Sequence, residues 1–503
     1  MSHLLGELLE GIELPIEQRH CEVSGVALDS REVTKGDLFF ALSGAITDGR
    51  KYIHCAVKKG AVAVIVDVLD QIDDEEFSIP VIAVPNLSVL TGQIAAKFWG
   101  APSQSMNTVA VTGTNGKTSI TQMIAQSTMI LGQKSALIGT LGNGVYGKLQ
   151  ETINTTPDAL SVQRCLAAFL KDDVDIVAME ASSHGLVQGR LSGTAIDIAV
   201  VTNISRDHLD YHGTMSAYLD AKTELVKWDG LQYVLLNADD ADVMSLSSHV
   251  AEGVKRITFS HKSPDADVFA EDIQYTKQGL VFELVTPEGR GSVRNGMIGG
   301  FNVSNLLAVA TVLYCLEYST LSIANALCQM SQVPGRMEDV SGDFRRDEIP
   351  TVIVDFAHTP DALDNALMAL KPHCAGQLWC VFGCGGDRDK GKRPEMGAIA
   401  VKHADKLIIT ADNPRSESTS DIIRDIEKGI DFGAAYLVET DRAQAIKSAI
   451  MSAAQDDVIL LAGKGHELYQ EINGVKHSYS DKGVAEINLQ ERLRLSGTGD
   501  KQC

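Results

Sequence analysis

The stretch Asn-Thr-Val-Ala-Val-Thr-Gly-Thr-Asn-Gly-Lys-Thr (107–118) constrains the fold more than any other part of the chain. A β-branched apolar run enters a glycine loop, and a helical pattern begins at about Lys117. Strand, tight loop and helix in that order form a phosphate cradle. The backbone N–H groups of Gly113, Thr114, Asn115 and Gly116 and the helix N-terminus face an anion. Lys117 reaches the terminal phosphates, and the Thr118 hydroxyl holds Mg²⁺. The general phosphate loop carries Gly five residues before its second Gly, where this chain has Val111, so the match is to a variant, TGTNGKT. The competing reading is a glycine turn ahead of a Lys-Thr helix start. By itself the loop says only nucleotide: motor, switch GTPase, kinase and ligase all remain open.

Elsewhere, buried-type strands alternate with helical patterns, which predicts α/β architecture. GDLFFAL (36–42) and AVAVIVDV (61–68) mark a small first domain. FWGAPSQSMN (98–107) reads as a linker. Strands at 174–179, 197–203 and 233–237 continue the second domain. Near QVPGRME (332–338) the pattern restarts with TVIVDF, LWCVFG, KLIIT and DVILLAG, which predicts another doubly wound unit. With 503 residues, three domains are expected: 1–97, 98–333 and 334–503. The first is small and α/β, the second a P-loop-type ATPase domain, the third Rossmann-like.

Composition narrows the partners. A net charge of −22 argues against nucleic acid and anionic membranes, and requires any anionic substrate to find a local basic pocket. Nine scattered cysteines with no CxxC pair argue against disulfides and zinc. The start, MSHLLGELLEGIELP, lacks the form of a signal peptide, and no apolar run reaches the roughly 20 residues of a membrane span. The expected compartment is the cytoplasm and the expected state a monomer.

Further motifs separate the nucleotide chemistries. MEASSHG (179–185) places Glu180 at a strand end; NISRDHLDYHG (203–213), YLDAK (218–222) and GGFNVSN (299–305) follow. With TGTNGKT, and in this order, they resemble the Mur ligase family of ATP-dependent peptide synthetases of peptidoglycan precursor synthesis, over nearly the whole chain. LDSR (28–31) with GDLFFALSGAITDGRKYI, NTTP (154–157) and DNPR (412–415) resemble the family members that add meso-2,6-diaminopimelate to UDP-N-acetylmuramoyl-L-alanyl-D-glutamate. The chemistry fits independently. A carboxylate is a poor electrophile; phosphorylation makes an acyl phosphate, and an amine displaces the phosphate through a tetrahedral intermediate. Catalysis is then positioning plus charge stabilisation.

The resemblance implies roles residue by residue. Thr118, Glu180 and His208 have side chains of suitable types for Mg²⁺, although histidine is less usual than oxygen. Local hydrogen bonding is the alternative for His208 and His212. The family's YLDAK lysine, here Lys222, is carbamylated by CO₂, which turns a cation into a carboxylate-like metal ligand; otherwise Lys222 is a solvated helix lysine. Asn302, Arg336 and Asp355 match ATP contacts, the last two only if the final domain closes over the site. Leu28, Ser30, Ala45, Ile46 and Thr47 match the uridine-diphosphate region, which makes the first domain the UDP-substrate domain. Asn154, Thr155, Thr156, Ser182, Gln188 and Arg190 match muramoyl-peptide contacts. For the amine, Arg388 and Arg415 can grip a carboxylate bidentately. Asp412, Asn413 and Glu467 can receive an ammonium, beside Pro414. Gly463 lets the backbone approach. A rival reading makes GCGGDRD a second phosphate loop. The rival enzyme is a folylpolyglutamate-synthetase-like ligase; the rival from another class is a nucleotide-switched binding protein.

Overall fold

The computed structural model describes residues 2–44, 47–67, 77–152, 154–276, 279–342, 344 and 348–497. The chain packs as two compact units, Met1–Phe269 with Leu307–Ala326, and Ala270–Leu306 with Leu327–Cys503.

Two sheets of the first unit position the site. Near the N-terminus, Gly25–Ala27, Asp37–Phe40, Ala63–Asp67 and Val81–Val84 lie parallel in sequence order. Their apolar runs are buried because parallel strands are covered on both faces. The second sheet is built around Asn107–Thr112, flanked by Ile176–Glu180 on one side and Ile198–Val201 on the other, both parallel. Ser135–Gly139 lies beyond Ile176–Glu180; Tyr233–Asn237 and Lys255–Ser260 extend the other side. Strand order therefore reverses at Asn107–Thr112, and a crevice opens at the carboxyl ends of its neighbours. Glu180 pairs with Val111, and Val201 with Thr112. That register sets the phosphate loop, Glu180 and the segment after Val201 at one sheet edge.

The presumed linker is more structured than its composition predicts. Pro102–Ser105 forms a 3₁₀ turn, and buried Ser103 accepts a hydrogen bond from the Ala195 amide at 2.9 Å. A Gly-Pro-Ser stretch marks a turn, but it does not say whether the turn is docked.

The second unit carries a six-stranded sheet in the order Glu338–Asp339, Thr351–Asp355, Val458–Ala462, Leu378–Phe382, Lys406–Ile409 and Leu437–Val438, parallel except at the first pair. Its core is apolar and includes Leu363, Leu367, Phe382, Ile409 and Leu460. The hairpin Tyr469–Ile472 and Val475–Ser478 turns on Asn473 and Gly474, both at positive φ, the signature of a two-residue Asn-Gly turn. Among the described residues no helix is long and apolar enough to cross a membrane.

Candidate active site

The phosphate loop is shaped by its glycines. Gly113 has φ +144°, and a Cβ there would sit 1.9 Å from Thr202 Oγ1. Gly116 has φ +89° and starts the helix Lys117–Ile130, which has no side-chain cap. Its first amides are therefore not taken by a capping side chain. Lys117 Nζ donates to the carbonyls of Gly113 and Thr114, both at 2.8 Å. Thr114 Oγ1 lies 3.1 Å from the Tyr218 hydroxyl, and the Asn115 amide donates to Asn203 Oδ1 at 2.9 Å.

Glu180 ends a buried strand and is itself buried. Thr118 Oγ1 donates to its Oε2 at 2.9 Å, and the Thr140 amide to its Oε1 at 2.7 Å. A desolvated carboxylate beside the helix-start hydroxyl is a donor set that fits Mg²⁺. No three His, Cys, Asp or Glu side chains cluster as a metal cage among the described residues. The expected quartet is thus only partly gathered: Thr118 and Glu180 touch each other. His208 instead pairs with Asp207 at 3.4 Å, with its ring centroid 4.8 Å from that of His184 and 6.4 Å from that of Tyr218. His208 sits at φ +52°, a left-handed turn.

Lys222 is not a solvated helix lysine. It is 1% exposed, and its amine donates to the Gly113 carbonyl at 2.9 Å and lies 4.4 Å from the Tyr218 ring centroid. Burial, reinforced by the nearby Lys117 charge, pushes it well below the usual lysine range. The neutral amine is the form that can attack CO₂.

A polar chain runs on from Glu180. Thr156 Oγ1 donates to the Glu180 carbonyl at 2.7 Å and to Ser182 Oγ at 3.0 Å. Arg190 donates to the Thr156 carbonyl at 2.7 Å and to Gln188 Oε1, and Gln188 donates to the Tyr211 hydroxyl at 3.1 Å. Thr155 receives a hydrogen bond from Thr140 at 3.1 Å. Asn154 is exposed, and its carbonyl accepts from Thr152. The helix after this loop, Ala159–Lys171, contributes Leu160 to the N-terminal core, and its Arg164 lies 3.5 Å from Glu32. Near Glu32, Leu28 is partly buried and Ser30 buried; Thr47 is exposed. Ala45 and Ile46 lie outside the described residues. The ring of His184, not singled out in the sequence, lies tilted with its centroid 4.1 Å from that of Tyr211, and burial lowers its pKa.

In the second unit, strand ends again gather the expected residues. Asp412 and Asn413 follow Lys406–Ile409, and both are buried. Asn413 Nδ2 donates to Glu467 Oε2 at 2.8 Å. Gly463 has φ +115°, and a Cβ would meet Asp412 Oδ2 at 2.7 Å. Arg415, at φ +50° after Pro414, donates from Nη1 to the Gly386 carbonyl at 2.8 Å and lies 3.3 Å from Glu471. Arg388 is exposed in the glycine loop. Asp355 accepts the Met337 and Ala357 amides at 2.7 and 2.8 Å, and burial raises its carboxyl. The Arg336 guanidinium lies 4.8 Å from the Phe356 ring centroid. Asn302 is buried and donates to the Ile298 carbonyl at 2.8 Å. Sequence reasoning missed Lys464, Arg393 and Arg442. Each is a buried cation, and only its contacts distinguish it from a surface residue.

Comparison with known proteins covers most of this framework. Family models described as Mur ligase family catalytic domain, Mur ligase middle domain and Mur ligase glutamate ligase domain match residues 22–99, 111–313 and 335–465. The chain is 46% identical over 485 residues to a Chromobacterium violaceum protein named UDP-N-acetylmuramoyl-L-alanyl-D-glutamate–2,6-diaminopimelate ligase, covering 96% of each. A solved structure of a ligase of that name aligns at 37% identity with a TM-score of 0.74, covering 98% of this chain and all of the other. Mycobacterium tuberculosis folylpolyglutamate synthase with ADP aligns at 18% identity and a TM-score of 0.61, over 75% of this chain and 92% of the other, a likeness of fold alone.

Proposed function

We propose that this chain, which belongs to the Mur ligase family and is an ATP-dependent ligase of three α/β domains, joins meso-2,6-diaminopimelate to the D-glutamate carboxylate of UDP-N-acetylmuramoyl-L-alanyl-D-glutamate. The observation that carries the chemistry is the Thr118–Glu180 contact beside Lys117 and the buried amine of Lys222. These groups stand where a triphosphate would meet the phosphate loop. Lys117 binds the transferring phosphoryl group, and the loop amides orient it. Thr118 and Glu180 would hold Mg²⁺, with His208 and the carbamate of Lys222 as further ligands. The metal, when bound, supplies charge stabilisation at the phosphate oxygens. Arg190, Gln188, Ser182, Thr156, Thr155 and Asn154 orient the acceptor peptide. Leu28, Ser30 and Ala45–Thr47 bind its uridine nucleotide. The D-glutamate carboxylate takes the γ-phosphoryl group, the amine adds to the acyl carbon, and the tetrahedral intermediate expels phosphate.

Asn302, Arg336 and Asp355 are assigned to ATP. Arg388 and Arg415 are assigned to the distal carboxylate of diaminopimelate, and Asp412, Asn413 and Glu467 to its ammonium, beside Pro414 and Gly463. Domain limits at 97 and 333, a monomer and a cytoplasmic location complete the reading. Its test is an amino-acid panel with ATP and the UDP-dipeptide, read by product mass. Diaminopimelate should be incorporated in strong preference to lysine, because lysine brings no distal carboxylate to Arg388 and Arg415. Arg415→Ala should lose that preference. Equal turnover of both amino acids by the unaltered enzyme refutes the assignment.

A further inference from the structure

The buried Lys464 contacts two of the side chains assigned to the substrate ammonium. It is 0% exposed. Its ammonium donates to Asn413 Oδ1 at 2.9 Å and to Glu467 Oε2 at 2.8 Å. The rings of Tyr469 and Tyr479 stand 5.7 and 5.9 Å away. A second donor, the Glu471 amide, reaches Asn413 Oδ1 at 2.9 Å. Two donors on the oxygen and one acceptor for the nitrogen, Glu467 Oε2, fix the orientation of the Asn413 amide. Glu467 Oε2 is engaged twice, and no protein hydrogen bond reaches Oε1 among the described residues.

The charges can then be counted. Asp412, Glu467 and Glu471 bring three carboxylates to these strand ends, Arg415 lies 3.3 Å from Glu471, and Gly463 brings its backbone close to Asp412. Lys464 balances one carboxylate from within the protein. Arg415 balances Glu471, so one negative charge is left for one ammonium, and Arg388, which stands with Arg415 beside Gly385, supplies a positive charge for one carboxylate. That pattern complements a neutral amino-acid centre, one ammonium beside one carboxylate. Without Lys464 the same strand ends would carry an uncompensated negative charge and would favour a bare terminal ammonium.

We infer that Lys464 is a specificity-determining positioning residue: by neutralising Glu467 and fixing Asn413, it makes the amine pocket select a distal amino-acid centre over a distal ammonium alone. The inference rests on the diaminopimelate reading above. Its test compares kcat/KM for diaminopimelate with that for lysine in the full-length enzyme, in Lys464→Met, which loses charge and bonds, and in Lys464→Gln, which keeps a donor and loses the charge. The ratio should fall about tenfold or more in both, since the discrimination is electrostatic in a desolvated pocket. The KM for ATP should not change. A merely structural lysine would leave the ratio alone and depress all substrates together. If neither variant folds, Lys464→Arg, which keeps the charge, decides: a retained ratio supports the inference, and a collapsed ratio overturns it. A wild-type preference for diaminopimelate with an unchanged ratio in both neutral variants overturns this inference alone. A wild-type enzyme that uses neither amino acid overturns the underlying reading as well.

Discussion

Replacing Arg442 by Met should loosen the C-terminal sheet more than replacing Arg442 and Asp481 together. Both side chains are fully buried. The guanidinium donates to Asp481 Oδ1 at 2.7 Å and Oδ2 at 2.6 Å, and to the carbonyls of Ala462 at 2.9 Å and Ala411 at 3.2 Å. It therefore ties two strand ends to the start of the helix Asp481–Gly497. Removing the arginine strands a carboxylate with no solvent, a loss of about 3–5 kcal/mol. Since about 1.4 kcal/mol is tenfold in an equilibrium constant, the local opening constant should rise by roughly two to nearly four orders of magnitude. Both variants leave two carbonyls short of a donor, at about 1–3 kcal/mol each, and only Arg442→Met with Asp481→Leu removes the stranded charge. A multidomain chain does not unfold in one step. The assay is therefore native-state hydrogen exchange of the Val458–Ala462 amides, which reports local opening directly. If the double variant exchanges as fast as the single one, the stranded-charge argument fails.

Other outcomes follow from the central domain. Lys117→Ala should abolish ligation while leaving the circular dichroism spectrum and melting midpoint close to those of the parent, because a loop lysine supports no core; near-parental turnover sinks the nucleotide assignment. Lys222→Ala should be almost inactive and partly recovered by added short-chain carboxylates, whereas an unmodified amine in a well-resolved nucleotide-bound structure would refute the carbamate. Burial alone would raise the Asp239 carboxyl, but hydrogen bonds from His261 and Ser260 hold it at about 2. His261 Nδ1 lies 2.6 Å from Asp239. A depressed folded pKa contributes stability that is present above the unfolded value and is lost as pH falls through the folded one. Asp239→Asn should therefore remove roughly 2 kcal/mol at neutral pH and flatten the acid limb between about pH 4 and 2; an unchanged acid limb contradicts the assignment.

The sequence made the α/β class and three sheets readable because buried parallel strands are continuous apolar runs. It also made the phosphate loop and Glu180 readable, because glycine, lysine and a carboxylate at strand ends have few other uses. Lys222 illustrates the limit. Helical periodicity cannot show that a lysine is buried, since that depends on Gly113 and Tyr218, more than a hundred and four residues away respectively. Lys464 and Arg442 were hidden for the same reason: Asn413, which meets the first, and Asp481, which meets the second, are remote in sequence.

Gly113 and Thr114 hold the Lys117 ammonium between them, and that arrangement sets an admission threshold. An anion that draws the lysine outward must replace two hydrogen bonds to a charged donor, each worth about 1.5–3 kcal/mol. A lone phosphate or sulfate ion offers one short row of oxygens in return. A polyphosphate also engages the loop amides and the helix start, so its gain grows with each phosphoryl group while the cost of moving the lysine is met only once. The loop is thereby expected to favour a longer phosphate chain over a lone oxyanion without a side chain dedicated to that choice.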